Sequence, residues 1–390
     1  MPALCRIVAV VVRLSRRAVS CFPVPAAKPT LPLISRQISR QISREYSSRS
    51  KMEAISKAFK NATGQGEHEQ AEGMEHKPKT GQTQEGEGSI GKEYKMDAKP
   101  VAYSPLYKPA GKLRGKVALI TGGDSGIGKS TAIHMALEGA DIAIACLQEE
   151  MKDAQETKRL IESDVETLVR EMIKINPDSE KEFLEEMKTV RKEGDARCMI
   201  VTGDVGNPEV CRSIVKQVID NYGRINILVN NAAEQTLEKD FLQVPDEEIE
   251  RTFRTNIFSM FYLSKAVLPQ MKKGDVILNC TSVTAYGGHA ELIPYASTKG
   301  AIVSFTRSLA ANLAEKGIRV NGVAPGPILT PLIPATFTSD KVKKHGDNVP
   351  MKRQGQPCEV ASCFVFLASF DSNYMTGQVL HPNGGKPVNG

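Results

Sequence analysis

The sequence predicts an α/β fold, a single domain over residues 112–390 built on a doubly wound parallel sheet of seven strands. Two observations point there. From Lys116 onward, short apolar runs alternate with amphipathic stretches, the order expected when helices cover both faces of a parallel sheet. At the first run-to-stretch junction lies Thr121-Gly-Gly-Asp-Ser-Gly-Ile-Gly128, where glycines permit a tight strand-to-helix turn.

The elements follow in order. Lys116–Thr121 is the first strand, and Gly126–Gly139 a helix with Ile127, Ala132 and Met135 facing inward. Asp141–Leu147 is the second strand, and the third lies near Ala196–Gly203. The fourth ends at Ile227-Leu-Val229, the fifth is Val276–Leu278, the sixth Ile318–Val320 and the seventh Gln378–Leu380. About 48 residues separate strands two and three, more than one crossover helix needs. Apolar residues at helical spacing fall on both sides of Asn176-Pro-Asp-Ser179, so an inserted helical hairpin is expected over about 160–192, either a local elaboration or a partner contact.

The N-terminal third differs in character. Residues 1–50 hold eight Arg and one Lys against a single acid, Glu45, so this leader carries +8 of a total of +6. The remaining residues therefore sum to −2, which argues against a nucleic-acid surface. Arg6 and Arg13 leave only Ile7–Val12 as an apolar core, too short for a secretory signal. Residues 1–46 instead read as an organelle presequence, with Arg44-Glu-Tyr46-Ser47 similar to mitochondrial processing sites; arginine density favours the mitochondrion over the plastid. Residues 47–111, rich in Gly, Gln, Glu and Lys, are expected to form a flexible, disordered linker. No run approaches the roughly 18 apolar residues that cross a bilayer, so no membrane partner is expected. The eight cysteines show no C-x-x-C and the six histidines no H-E-x-x-H, so no metal is expected.

The chemistry rests on three clusters. In the first, Gly122, Gly126 and Gly128, with Asp124, Ser125 and Ile127 between them, would let the backbone approach a dinucleotide pyrophosphate at a helix N-terminus. Cys146 stands where an acid would hold the ribose of NAD; its absence tilts the expectation toward NADP, with NAD still possible. In the second, Asp204 and Val205 after strand three could meet the adenine. Asn230 would touch the cofactor or tie strands together, while Ala232 leaves room for it. In the third, Tyr295 and Lys299 are i and i+4 on a helix expected over Tyr295–Lys316, so they share a face. A phenol of pKa about 10 is a poor base at neutral pH, and a neighbouring ammonium together with a nicotinamide cation would lower it. Ser282 would polarise the substrate oxygen, and Asn256 would hold a water linking Lys299 to solvent. Pro325 and Gly326, with Ile328 and Thr330, would fix the nicotinamide carboxamide, and Leu332–Asn348 would form a lid.

Taken in order along the chain, these residues resemble the short-chain dehydrogenase/reductase family over about 112–390. Within it, Asn230-Asn-Ala-Ala-Glu-Gln235, the ending Gln378–Gly385 and Gly91-Lys-Glu-Tyr-Lys-Met-Asp97 are similar to the glucose and ribitol dehydrogenase homologues. The resemblance implies a Rossmann fold, metal-free hydride transfer between NAD(P) and a CH–OH or carbonyl substrate, and a homo-oligomer, dimer or tetramer. The alternative expectation is a cofactor-binding redox sensor or stress-protective protein with little turnover.

Overall fold

A computed structural model describes residues 81–84, 91–104, 107–163, 167 and 197–388. The expected presequence and most of the expected hairpin lie outside the described residues.

Seven parallel strands form one sheet in the order β3-β2-β1-β4-β5-β6-β7. They are β1 (Val117–Thr121), β2 (Asp141–Cys146), β3 (Cys198–Thr202), β4 (Ile227–Asn230), β5 (Val276–Cys280), β6 (Arg319–Val323) and β7 (Val379–Leu380). All seven coincide with apolar runs in the sequence. Strand order reverses between β1, which pairs with β2 on one side, and β4, which pairs with β1 on the other. That reversal opens a crevice at the carboxyl ends of the strands, the usual place for a ligand in such a sheet.

Side-chain alternation along the strands builds a core on each face. Ala118 and Ile120 point to one face, where α1 (Gly126–Leu137), α2 (Met151–Glu162) and α10 (Pro357–Ala368) supply Met135, Leu160 and Phe364. Val117 and Leu119 point to the other. There α3 (Pro208–Tyr222), α5 (Ser259–Val267) and α7 (Ile293–Leu313) supply Val218, Leu263 and Leu313. α3 starts and stops where its sequence directs: Asn207 accepts the Glu209 N–H, Pro208 opens the first turn, and Gly223 ends the helix at φ 80°. Between β4 and α5 run α4 (Asp246–Phe253) and a single wide π turn, Arg254–Phe258. α6 (Thr284–Gly287) follows β5, and α8 (Leu332–Thr336) and α9 (Ser339–Lys344) follow β6.

The stretch expected to be a flexible linker departs from that expectation wherever it is described. Met96, Ala102 and Tyr103 are buried. Backbone N–H groups of Ala110 and Lys112 donate to Glu138 Oε2 at 3.0 and 2.8 Å, and those of Glu93 and Tyr94 donate to Asp153. Hydrogen bonds to buried carboxylates anchor this segment alongside that apolar burial, so its low hydrophobicity was a poor guide.

The β1–α1 turn is set by close backbone approach. A Cβ on Gly128 would lie 1.8 Å from the Gly122 carbonyl oxygen, while Gly122 and Gly126 hold φ of +61° and +52°. Because the obstacle is backbone, Gly128→Ala is expected to destabilise the fold by about 3 kcal/mol, read from urea unfolding; an unchanged midpoint would show that the turn can relax. Deeper in α1, His134 is 1% exposed, shares its Nδ1 proton with the Ser130 carbonyl at 2.8 Å, and leaves Nε2 without a partner. Burial pushes its pKa down to about 4 from 6.5. The unfolded chain thus takes up this proton near pH 6.5 and the folded chain only near 4. Stability from this residue is complete above pH 6.5 and falls by about 3 kcal/mol as the pH drops through that window. His134→Leu is expected to flatten the acid limb of the urea-midpoint profile between those two values; an unaltered limb would contradict it.

Candidate active site

A cavity of about 690 Å³ runs along the carboxyl ends of the strands, across the reversal between β1 and β4. At one end Gly122, Asp124, Ser125, Gly126 and Ile127 from the glycine turn face Cys146 at the tip of β2 and Asp204 and Val205 after β3. At the other end stand Ser282, Tyr295 and Lys299, and Pro325, Gly326, Ile328 and Thr330 line the way back to the glycine turn, where a Cβ on Gly126 would lie 3.2 Å from Thr330. Ala232, beyond β4, lies between the two ends.

Each side chain is positioned by local structure. Thr121, the last residue of β1, accepts the backbone N–H groups of Asn231 and Ala232 on its Oγ1 at 3.0 Å each, binding the glycine turn to the loop after β4. Asn231 Nδ2 returns two bonds, to the carbonyls of Thr121 at 3.0 Å and Gly122 at 3.1 Å. Asp204 uses Oδ1 to accept the Gly206 N–H at 2.8 Å, which fixes its own turn. Gly326 passes so close to Asn383 that a Cβ would lie 2.7 Å from the Asn383 Cα. The Pro325 turn is thereby seated against the C-terminal loop.

Three expected site residues stand outside the cavity lining. Gly128 acts from behind, through the close approach described above. Asn230 is 1% exposed and donates from Nδ2 to Asn279 Oδ1 at 2.9 Å, and Asn279 in turn donates to Thr306. Of its two expected roles, it takes the tying of strands, here β4 to β5 and α7; Asn231, unremarked in the sequence, faces the cavity instead. Asn256 lies in the π turn and is fully buried. Its Oδ1 accepts the Glu234 N–H at 2.8 Å, while Nδ2 serves the Glu234 carbonyl at 2.9 Å and Thr298 Oγ1 at 3.2 Å. The side chain is therefore committed to protein partners. A π turn is a frequent device at functional sites because it breaks the regular helical hydrogen-bond ladder.

Tyr295 and Lys299 share one face of α7, with the Lys299 ammonium 5.2 Å from the centre of the phenol ring. Lys299 is 1% exposed and donates from Nζ to the Cys280 carbonyl at 3.0 Å. Ser282, just beyond β5, is hydrogen-bonded to the phenol, and its Oγ also accepts the Thr284 N–H at 3.1 Å. The electrostatics differ from the expectation of a lowered phenol. Burial pushes Tyr295 well above its ordinary value, and the Ser282 hydrogen bond only partly opposes this. Burial likewise pushes Lys299 down. The protein groups alone thus keep the phenol protonated, and a further positive charge against it is needed to bring it into the working range.

Several lining residues escaped the sequence reading. Gly203, Ala145 and Leu147 line the end near Cys146 together with Glu149 and Glu150. Asp124 is buried with Oδ1 unpartnered, and burial together with the nearby Glu150 holds its carboxyl well above the usual range. Gln235, with its Nε2 buried and unpartnered, lines the cavity too. The segment expected as a lid, Leu332–Asn348, holds α8 and α9 and lines the cavity with Leu332, Ile333 and His345. Nothing in residue type alone separates such positions from surface loop. Among the described residues no group of three or more His, Cys, Asp or Glu is placed to hold a metal ion, and no helix is long and apolar enough to cross a membrane.

Comparison with known proteins agrees with this geometry. Residues 116–173 match the short chain dehydrogenase family profile, and residues 173–386 match the profile described as enoyl-(acyl carrier protein) reductase. Over 309 residues the chain is 48% identical to a glucose and ribitol dehydrogenase of Daucus carota, covering 79% of this chain and 97% of that protein. It is 49% identical to an NADPH-dependent aldehyde reductase 1, chloroplastic, of Arabidopsis thaliana, over 77% of this chain and 96% of the relative. A short chain dehydrogenase from Burkholderia cenocepacia, solved in complex with NADP, superposes with a TM-score of 0.59 at 25% identity, covering 70% of this chain and 98% of that one. With its seven-stranded sheet, its glycine turn and a cavity holding Ser282, Tyr295 and Lys299, the chain belongs to the short-chain dehydrogenase/reductase family and is an NAD(P)-dependent oxidoreductase.

Proposed function

We propose that the enzyme transfers hydride reversibly between NADP(H), or alternatively NAD(H), and a CH–OH or carbonyl group of a sugar, polyol, alcohol, aldehyde or ketone, with Tyr295 as general acid and base. The observation that carries this reading is the convergence of Ser282, Tyr295 and Lys299 at the cavity end opposite the glycine turn. The cavity walls fit a dinucleotide: Gly122, Gly126, Gly203 and Ala232 keep side chains out of the way along one wall. Gly122 to Ile127 would hold the diphosphate, Val205 the adenine, and Pro325 to Thr330 the nicotinamide. Such a dinucleotide, when bound, supplies or takes the hydride and places a cationic ring beside the phenol in its oxidised form.

The residues do the rest. Ser282 orients the substrate oxygen toward Tyr295, whose hydroxyl gives it a proton in reduction and whose phenolate takes one in oxidation. Lys299 holds positive charge beside the phenol, favouring the tyrosinate, and is itself fixed by the Cys280 carbonyl. Since the Asn256 side chain is committed, a water linking Lys299 to solvent would use its backbone carbonyl. The NADP preference is supported by the absence of an acid at Cys146, the tip of β2. The named NADP and NADPH partners of the relatives agree with it.

The Arg-rich leader supports import into an organelle, the mitochondrion by its composition, although the Arabidopsis relative is named chloroplastic. Exposed Phe258, and exposed Phe261 against Phe305, support a homo-oligomer, dimer or tetramer.

Tyr295→Phe is expected to lower kcat at least a hundredfold in a screen of aldehydes with NADPH and of polyols and sugars with NADP, while the dinucleotide Kd stays within twofold. Retained turnover would remove Tyr295 from the chemistry. Tight dinucleotide binding with no turnover of any substrate by the parent enzyme would instead favour the redox-sensing or stress-protective reading.

A further inference from the structure

The motif Gly91-Lys-Glu-Tyr-Lys-Met-Asp97 has no part in the chemistry above, yet it reaches the centre of the site. Glu93 lies in a single 3-10 turn, Glu93–Lys95, and is 5% exposed. Its Oε2 accepts the Gly126 N–H at 2.8 Å, and its Oε1 pairs with Lys129 Nζ at 2.8 Å. The first turn of a helix presents N–H groups without partners inside the helix, and Ser125, at the N-cap of α1, makes no side-chain cap. The extension therefore supplies from 33 residues upstream the acceptor that the local sequence omits.

The ion pair is an expensive way to cap a helix. The Lys129 and Glu93 side chains are only 8% and 6% exposed, and a buried pair recovers little of its desolvation cost as stability. It has an electrostatic consequence, however. A lone carboxylate at this helix terminus would repel a diphosphate, and a lone ammonium would be buried without a partner. Together they cap the Gly126 N–H at nearly zero net charge, leaving Ile127 free to face the cavity.

The same segment also grips the lid. Gly91 lines the cavity, and a Cβ there would lie 2.1 Å from the Pro331 carbonyl oxygen. Gln84 donates its backbone N–H to the Pro334 carbonyl at 2.8 Å, and its side chain accepts from Lys92 N–H and donates to the Lys92 carbonyl, both at 2.8 Å. Asp153 of α2 fixes the turn by accepting the N–H groups of Glu93 and Tyr94 at 2.9 and 3.0 Å.

We propose that Glu93 is a positioning residue of the dinucleotide site: from the N-terminal extension it holds the first turn of α1 in its diphosphate-binding shape and, through Gly91, couples that turn to the root of the lid at Pro331. This rests on the reading that the cavity takes a dinucleotide.

The test uses the full chain and NADPH itself, with Kd from nicotinamide fluorescence and thermal unfolding measured without NADPH. Glu93→Ala, at a temperature where it remains folded, is expected to raise the NADPH Kd at least tenfold. Glu93→Gln combined with Lys129→Met keeps an acceptor for the Gly126 N–H and leaves no unpaired charge, so its Kd is expected within threefold of the parent. A purely structural role would lower the unfolding midpoint of Glu93→Ala and leave its Kd within twofold, which overturns the proposal. Should Glu93→Ala fail to fold, Glu93→Leu combined with Lys129→Met, which removes the acceptor without leaving a buried charge, decides: a tenfold loss of affinity upholds the account, and parent-like affinity overturns it. Failure of the parent chain to bind either NADPH or NADH would refute the dinucleotide reading itself, a result distinct from any effect of Glu93.

Discussion

The architecture depends on the close approach of two backbones at the β1–α1 turn. Because Gly128 lets α1 sit against the Gly122 carbonyl, the N-terminus of that helix is aimed into the crevice where strand order reverses. Everything else at that end is arranged around the turn. Thr121 and Asn231 bind it to the loop after β4, and Glu93 reaches it from the extension. A side chain at Gly128 would lift the helix and misdirect all of these contacts together.

The opposite end of the cavity is governed by burial. Lys299 is almost wholly enclosed and Tyr295 is pushed above its ordinary range, so the apolar surroundings oppose the charged forms that catalysis needs. That opposition makes proton transfer depend on what else is in the site. A nicotinamide cation held beside the phenol would favour the phenolate of Tyr295, and without it the phenol stays protonated.

Much of this was legible in the sequence. Apolar runs marked all seven strands because strands covered on both faces leave no place for polar alternation. The glycine turn and the Tyr295–Lys299 spacing were legible because steric and periodic constraints tie residue type to position. Asn230 was harder: a strand-end asparagine suits a cofactor contact or a cross-strand bond equally well, and only the proximity of Asn279 decides. The described part of the extension, 81–84, 91–104 and 107–111, was harder for a different reason. Glu93, Glu138 and Asp153 hold it through hydrogen bonds whose partners are distant in sequence, and composition carries no trace of such pairing. Gln235 escaped for the same reason, since loops become cavity walls only after folding.

The central claim is that one cavity spans a dinucleotide from Cys146 to Tyr295 and delivers hydride beside the phenol. The most direct measurement is transfer from NADPH carrying deuterium on one face of the nicotinamide at a time, to an aldehyde that the enzyme reduces. The account predicts that deuterium appears in the alcohol from a single face only, with a primary isotope effect for that label alone, because Pro325 to Thr330 fix the ring. Transfer from both faces, or none to the substrate, would contradict it.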